Sequence, residues 1–265
     1  MIDLHAHILP GVDDGVKTED ESVEFARAAA ADGIRTLVAT PHCKDGFFEN
    51  DRGSVLAAVA RLRARLAGEG VPLEVVPGAE VHLAPDLPAR VRDGRAPTLG
   101  DNGRTLLLEL SLSQYPVDLE NLVFRLRLAG ILTVFAHPER IRYFQEDVRR
   151  YEAVVKLGAF GQITAGSVLG GFGREVKEFG DDLLRRRLVH VVASDSHDLR
   201  GRRPAIREAV RAIAAMMGEG AAAAMVESAP RALLEGREPE APDLAPEAPA
   251  RRRWLAGLFR RSGEV

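Results

Sequence analysis

Residues 1–15 read MIDLHAHILPGVDDG, a short apolar strand that ends at two histidines and runs into an acidic loop. His5 and His7 stand at the end of the strand, and Asp13 and Asp14 follow in the loop. A single His-x-His pair is often no more than two exposed polar residues on an edge strand, because short motifs match frequently by chance. Its meaning therefore depends on whether the rest of the chain repeats the arrangement.

The same order of strand and then helix continues to about residue 235. Seven mostly apolar runs alternate with amphipathic helical stretches, and these runs are MIDLHAH, IRTLVAT, LEVVPGAE, TLLLEL, ILTVFAH, FGQITAG and LVHVVAS. Strands separated by helices of this length imply right-handed βαβ units and a parallel sheet. Apolar runs without alternation indicate strands that are covered on both faces. We therefore predict an α/β fold, with a closed or distorted TIM-like barrel favoured over an open sheet.

The composition is that of an ordinary globular protein of 265 residues, with 46% hydrophobic and 28% charged residues. A formal net charge of −3 gives no reason to expect nucleic acid as a partner. Cys43 is the only cysteine, so no intramolecular disulfide can form, which is typical of a reducing compartment. We see no secretory leader and no apolar run of membrane-spanning length, and we expect a cytoplasmic protein.

The composition changes after Gly236, so we divide the chain into a domain over 1–236 and a flexible tail over 237–265. The tail begins with the Pro/Ala/acidic stretch GREPEAPDLAPEAPA, which has no apolar periodicity and is typical of a solvated linker. It ends in a basic amphipathic segment that could touch an anionic inner membrane or a partner protein, or could merely aid solubility. The apolar residues of that segment are Trp254, Leu255, Leu258 and Phe259.

Metal-capable side chains recur at the ends of the later strand runs. They are His42, Glu80, Glu109, His137, Asp195 and His197. The carboxyl ends of parallel strands meet at one face of a barrel, so we expect these side chains to converge with those of the first strand. Two other histidines are predicted to be structural, because His82 falls in a loop after the third run and His190 falls within a strand.

Imidazole and carboxylate together suit Mn²⁺, Fe or Zn²⁺ better than Mg²⁺ or Ca²⁺, which prefer oxygen ligands alone. The candidates are too many for one ion, so two or three ions are implied. Ions about 3.5–4 Å apart can hold both the attacking and the leaving oxygen in the hydrolysis of a phosphate ester.

The motifs HAHILPGVDDG, TPH, PGAE, LLLEL, HPER, QITAGSVLG and ASDSHD, in that order, resemble the PHP (polymerase and histidinol phosphatase) superfamily. Within it the chain is most similar to the CpsB/CapC-type tyrosine-protein phosphatases of bacterial capsule and exopolysaccharide systems. The resemblance implies a distorted (β/α)₇ barrel with a trinuclear site that favours Mn²⁺. The positions that match the family's metal ligands are His5, His7, Asp14, His42, Glu80, Glu109, His137, Asp195 and His197.

Arg140 and Arg202 stand where the resemblance places arginines that face the phosphate. A planar guanidinium can bind a phosphoryl group through two hydrogen bonds and balance its charge. A surface ion pair is the alternative for either residue. Arg200 and Arg203 are close enough in sequence to take the place of Arg202.

Asp13 does not match a ligand position of the family, and we expect it to orient a ligand or cap the loop. Two residues depart from the family pattern. Asp198 stands where asparagine is common, so its carboxylate could strengthen metal binding or repel phosphate. Thr164 also stands where asparagine is usual.

The resemblance implies direct hydrolysis of phosphotyrosine on the tail of an autophosphorylating bacterial tyrosine kinase. Cys43 is not followed by the CxxxxxR loop of cysteine-dependent phosphatases, so we exclude it as a nucleophile. Two alternatives remain open at this point. One is a small-molecule phosphomonoesterase that resembles histidinol-phosphate phosphatase, and the other is a non-enzymatic regulatory module stabilised by metal.

Overall fold

The computed structural model describes residues 1–240, so the predictions made for 241–265 lie outside the described residues. Nine strands are present within 1–240: Ile2–Ala6 (β1), Thr36–Ala39 (β2), His42–Cys43 (β3), Glu74–Pro77 (β4), Glu80–His82 (β5), Thr105–Glu109 (β6), Leu132–Ala136 (β7), Phe160–Thr164 (β8) and Val191–Ala193 (β9). All pairings between these strands are parallel, as the sequence predicts.

Helices separate the strands and cover them from outside. They are Glu19–Asp32 (α1), Arg52–Gly68 (α2), Leu87–Arg92 (α3), Leu119–Leu128 (α4), Arg142–Glu146 (α5), Val148–Lys156 (α6), Ala165–Val168 (α7), Arg174–Arg185 (α8), Arg207–Met217 (α9), Glu219–Ala224 (α10) and Ser228–Leu234 (α11). None of the helices described in 1–240 is both long and apolar enough to cross a membrane.

The ends of α1 show why the chain turns where it does. The Thr18 side chain accepts a hydrogen bond from the Glu21 amide, and the Glu21 carboxylate accepts one from the Thr18 amide in return. The helix ends at Gly33, whose φ of 95° is the left-handed conformation that glycine adopts without strain. The chain then leads directly into β2.

One of the seven predicted strand runs is split in two, and another is followed by a short additional strand. The run IRTLVAT gives β2 and is followed by β3 after Pro41, which has no amide hydrogen to donate to a sheet. The run LEVVPGAE gives β4 and β5 with Gly78 between them, where a Cβ would lie 2.7 Å from Val38 Cγ1. The strands therefore form a three-stranded sheet (β1-β2-β4) and a six-stranded sheet (β3-β5-β6-β7-β8-β9).

The first and last strand positions meet and close the barrel along a narrow seam. The Asp195 amide donates to the His5 carbonyl at 2.8 Å, and the His7 amide donates to the Ser196 carbonyl at 2.8 Å. A single parallel bridge joins Ala6 to Ser196. The result is the predicted distorted barrel with seven strand positions, in which the distortion comes from the two interrupted strands.

Alternation along the strands divides the apolar residues between two clusters. Leu107 and Val134 belong to the smaller cluster, whereas Leu106 and Phe135 on the opposite face belong to the larger one that packs beneath the helices. Since side chains alternate with a period of two, Glu109 points to the same face as Leu107. The face that is apolar lower in the barrel thus becomes polar at the carboxyl ends of the strands.

Candidate metal centre

The structure brings all nine predicted ligand residues together at the carboxyl ends of the strands. Three overlapping groups of donor atoms lie there, each with its atoms within 4.8 Å of one another: His7, Asp14, His42 and His197; His5, His7 and Glu80; and His42, Glu80 and Glu109. The other two residues complete the cluster, because His137 Nε2 lies 2.9 Å from Glu80 Oε1 and Asp195 Oδ1 lies 3.3 Å from His5 Nε2.

The deepest group lies at the barrel seam and is fully buried. Nε2 of His5 lies 3.1 Å from Nε2 of His7 and 3.3 Å from Glu80 Oε2. Nε2 of His7 lies 3.5 Å from the same Glu80 oxygen and 3.6 Å from Asp195 Oδ1. Ligands about 2.1 Å from a tetrahedral centre are about 3.4 Å apart, so these spacings fit a metal ion.

His42 joins the other two groups because both of its ring nitrogens face carboxylates. Nδ1 lies 3.0 Å from Glu80 Oε2 and 3.6 Å from Glu109 Oε2. Nε2 lies 3.4 Å from Asp14 Oδ1, and the same Asp14 oxygen lies 3.3 Å from His197 Nε2. Asp14 is half-exposed, so this side of the cluster opens to solvent.

Four buried atoms of the cluster make no well-aligned hydrogen bond within residues 1–240. They are Glu80 Oε2, His137 Nδ1, Asp195 Oδ1 and His197 Nε2. Buried polar atoms without partners are costly, and such atoms in native structures call for a further partner such as an ion. All four belong to the nine converging residues, so the donor set fits a cation.

The charges of the cluster are strongly coupled. Burial lowers the pKa of His5, but the carboxylates of Glu80 and Asp195 outweigh it and raise the pKa to about 9. Burial likewise opposes the charge on His42, whose hydrogen bonds to Glu109 and Glu80 raise the pKa to about 11. The carboxylates thus favour positive charge at His5 and His42, where a divalent cation would take the place of the protons.

Two residues of the cluster have backbone conformations that L-amino acids rarely adopt. The φ of His137 is 36° and that of Asp195 is 49°. Such conformations cost of order 1–3 kcal/mol each and concentrate at functional sites. Here they let the chain leave β7 and β9 while both side chains still point into the cluster.

Further contacts orient the imidazoles from behind. Asp13 Oδ2 lies 2.7 Å from His7 Nδ1 and accepts the His42 amide at 3.1 Å. Gln162 Oε1 lies 3.0 Å from Nδ1 of His5. Partners of this kind fix which ring nitrogen is free to bind a metal. Asp13 therefore occupies the orienting place that the sequence predicts, while Gln162 was not predicted.

The prediction that His82 is a loop residue is wrong. It lies in β5, two residues after Glu80 and on the same face, because a strand has a period of two. Its Nδ1 lies 3.2 Å from Glu109 Oε2, so it contacts a predicted ligand. His190 lies immediately before β9 rather than within it, and its Nδ1 accepts the Gly161 amide at 3.1 Å in a structural contact.

Arg140 and Arg202 come from two different loops and bind the same oxygen of Asp195. Nη1 of Arg140 lies 2.7 Å from Asp195 Oδ2, and Nη2 of Arg202 contacts the same atom. The side chains are 17% and 29% exposed, so both guanidinium groups border the solvent at the barrel mouth. Their carboxylate partner is buried and central, which separates these contacts from ordinary surface ion pairs.

The two departures at Asp198 and Thr164 do not reach the donor groups. Asp198 Oδ1 accepts the amides of Arg200 and Gly201 at 2.6 Å each and that of Arg202 at 3.3 Å, which caps the loop. Thr164 donates its amide to Glu139 Oε1 at 3.0 Å. Asp198 thus shapes the loop that carries Arg202.

Comparisons with known proteins show the family of the chain. A model of the family described as capsular polysaccharide synthesis, CpsB/CapC, matches residues 1–235. The chain is 36% identical over 259 residues to the tyrosine-protein phosphatase YwqE of Bacillus subtilis. The match covers 98% of this chain and 100% of that protein. It is 30% identical over 239 residues to the tyrosine-protein phosphatase CpsB of Streptococcus pneumoniae. This match covers 88% of this chain and 98% of the relative.

Solved structures extend the comparison. A chain from the crystal structures of YwqE and CpsB, which are described as unique metal-dependent tyrosine phosphatases, superposes with a TM-score of 0.87 at 35% identity and covers 91% of this chain and 98% of that one. A dihydropyrimidinase from Brevibacillus agri reaches a TM-score of 0.52 at 14% identity, with 88% of this chain and 70% of that chain covered. The second likeness concerns the fold alone.

Proposed function

Because the chain belongs to the CpsB/CapC family of capsular polysaccharide synthesis proteins, we propose that it is a metal-dependent tyrosine-protein phosphatase that hydrolyses phosphotyrosine in proteins. The observation that carries this proposal is the convergence of imidazoles and carboxylates beside two arginines at the barrel mouth. The proposed phosphatase domain spans 1–236, one residue beyond the match of the family model.

We propose that the nine converging residues bind two or three divalent ions, with Mn²⁺ favoured and Fe or Zn²⁺ as alternatives. The buried group of His5, His7, Glu80 and Asp195 would hold one ion, and His42 would link it to the more open groups. Ions bound at such a site lower the pKa of water from 15.7 to about 7 and so make a hydrolytic nucleophile available at neutral pH. Asp13 and Gln162 would keep the imidazoles oriented for this task.

Arg140 and Arg202 are the residues that we propose bind the phosphoryl group. Their N–H groups lie at the edge of the donor cluster, where the non-bridging oxygens of a phosphate would sit, and they would balance the charge that develops during hydrolysis. A cavity at the open side of the donor cluster, lined by Asp14, Lys17 and His197 among others, has a volume of ≈ 480 Å³ and leaves room for a tyrosyl side chain. The tyrosyl leaving group has a pKa of about 10, so it needs little protonation as it departs.

The proposed partner is the phosphotyrosine tail of a bacterial tyrosine kinase that controls capsule or exopolysaccharide synthesis. The family description supports the link to capsular polysaccharide. A cytoplasmic location and a peripheral membrane contact through 237–265 stay predictions from the sequence. Residues 237 and 238 already belong to the body of the protein, since the Arg237 amide donates to the Ala232 carbonyl at 2.8 Å and Arg127 pairs with Glu238 at 2.6 Å.

The test is phosphate release by the full chain with Mn²⁺ from a tyrosine-phosphorylated kinase-tail peptide, beside histidinol phosphate and a chelator control. We expect release from the peptide that the chelator abolishes. Arg140→Ala should lower kcat/KM by about 10²–10³, as for the loss of one donor to a transition-state oxyanion. Arg92→Ala is the matched control, because Arg92 lies exposed on α3 beside Asp93. Preference for the small ester would overturn the protein substrate, and no metal-dependent release from either would favour a regulatory module.

A further inference from the structure

The stretch QITAGSVLGGFG, with four glycines, places an aromatic ring against both arginines. The guanidinium carbon of Arg140 lies 4.5 Å from the centroid of the Phe172 ring, and that of Arg202 lies 5.9 Å from it. Both distances fall within the range of a cation–π contact. Phe172 is half-buried at the barrel mouth, between α7 and α8.

The glycines of this loop are needed to bring the ring there. A Cβ on Gly166 would lie 2.9 Å from Phe172 Cε2, so a larger residue would push the ring away. The Gly171 amide donates to the Gly166 carbonyl at 2.8 Å and folds the loop back on itself. Gly170 and Gly173, which flank Phe172 in the loop, have φ values of +84° and +94°. Glycine adopts these conformations without strain.

The two guanidinium groups repel each other beside one carboxylate oxygen, and the Phe172 ring offsets part of this repulsion. Arg140 and Arg202 are both positive and repel each other, and Asp195 is their shared partner. Asp195 Oδ1 also faces His5, so its charge is divided among several groups. The negative face of Phe172 attracts both guanidinium groups without using any of their N–H donors. The donors that do not bind Asp195, Arg202 Nε among them, stay available for another anion.

We propose that Phe172 is a positioning residue, which holds the guanidinium groups of Arg140 and Arg202 together so that both can bind one phosphoryl group. This inference rests on the proposed function of the two arginines. Phe172 acts through them and does not take part in the chemistry. The ring should therefore affect the binding of any phosphate at the site, including inorganic phosphate.

The test compares Phe172→Leu and Phe172→Met, which keep an apolar side chain, with Phe172→Tyr and Phe172→Trp, which keep an aromatic face. Inorganic phosphate binding to the Mn²⁺-loaded full chain is measured by calorimetry and by competitive inhibition. We expect the aliphatic variants to weaken phosphate binding and to raise KM by about three- to tenfold. The aromatic variants should stay within about twofold of the unsubstituted protein, and Mn²⁺ content should not change. Phe124→Leu, on the outer helix α4, is the control for loss of an aromatic ring.

A double-mutant cycle separates positioning from general packing. In an Arg202→Ala background, the same Phe172→Leu substitution should weaken phosphate binding clearly less than it does alone, because one of its two partners is gone. Equal effects in both backgrounds, an unchanged phosphate affinity, or no rescue by the aromatic variants would each overturn the inference. The binding measurement uses phosphate alone, so it judges Phe172 even if the full chain releases nothing from a phosphotyrosine peptide, a result that would overturn the proposed function instead.

Discussion

Asp13 holds His7 from behind: its Oδ2 lies 2.7 Å from His7 Nδ1, while Nε2 of the same ring faces Glu80 and Asp195. The contact is fully buried, and Asp13 Oδ1 accepts the Gly15 amide at 2.9 Å, which ties the carboxylate to its own loop. Gly15 is required for this approach, since a Cβ there would lie 2.3 Å from the His7 carbonyl oxygen. The pair therefore fixes the ring that takes part in two of the three donor groups.

Asp13→Ala should weaken Mn²⁺ binding by about 10- to 100-fold, because loss of a partner behind a ligating imidazole typically has that effect. Calorimetric titration of the metal-free protein measures it directly. Asp93→Ala provides the control, since Asp93 pairs only with exposed arginines among the contacts described for it. An affinity within twofold of the original for Asp13→Ala would contradict the role assigned to this pair.

Asp198→Asn should change neither Mn²⁺ affinity nor kcat/KM by more than about twofold. The asparagine oxygen can accept the same backbone amides from Arg200, Gly201 and Arg202 that the carboxylate accepts now. Asp198→Ala removes these bonds and should raise KM, because the loop that carries Arg202 would lose its cap. If the asparagine variant behaves like the alanine variant, the negative charge itself matters at the site.

Cys43→Ser should retain activity, and iodoacetamide should not inhibit the enzyme at pH 7 whereas a chelator should. Burial and the nearby Asp45 carboxylate raise the pKa of the Cys43 thiol to about 11, so the nucleophilic thiolate is scarce at neutral pH. Phosphate release by both proteins, with and without each reagent, measures the effect. Loss of activity in the serine variant together with trapping of a phosphocysteine would reverse this conclusion.

His190 makes a pH-dependent contribution to stability. Burial lowers its pKa to about 4, and its neutral Nδ1 accepts the Gly161 amide. The unfolded chain binds this proton near pH 6.5 and the folded chain only near pH 4, so the free energy of unfolding should fall as the pH drops through that window. The loss amounts to at most about 3 kcal/mol.

His190→Asn isolates this contribution, because the asparagine oxygen can accept the same amide but does not titrate. Denaturant unfolding of both proteins between pH 7.5 and 4.5 gives the difference in their unfolding free energies at each pH. We expect the advantage of the histidine protein to shrink as the pH falls, while other titrating groups cancel. A difference that stays constant with pH would show that His190 keeps an ordinary pKa in the folded state.

The sequence predicts the strand positions and the convergence of the nine candidate residues well, because both depend on local patterns. An apolar run that ends in a histidine or carboxylate marks the mouth of a parallel barrel wherever it occurs, as at His42 and His137. The same local pattern places His82 beside Glu80, because residues two apart in a strand lie on one face. The position of His82 was not predicted because the break at Gly78 hides the short strand β5.

Contacts between loops could not be predicted from the sequence in the same way. Arg140 and Arg202 lie 62 residues apart in sequence and reach the same Asp195 oxygen only because their two loops fold toward each other. The strained backbone at Asp195 and the glycine turn around Phe172 set those directions, and neither has a periodic signature. Gln162 offered a weak signal as the one amide in an apolar strand run.

The seam between β1 and β9 has a consequence for the order in which the protein can be completed during synthesis. His5 and His7 leave the ribosome early, while Asp195 and His197 follow roughly 190 residues later. At about 5–20 residues per second, the first two histidines wait about 10–40 s for the rest of their donor group. The proposed donor group that contains Asp195 is therefore incomplete until late in synthesis, and an ion bound there would link the first and last strands of the barrel.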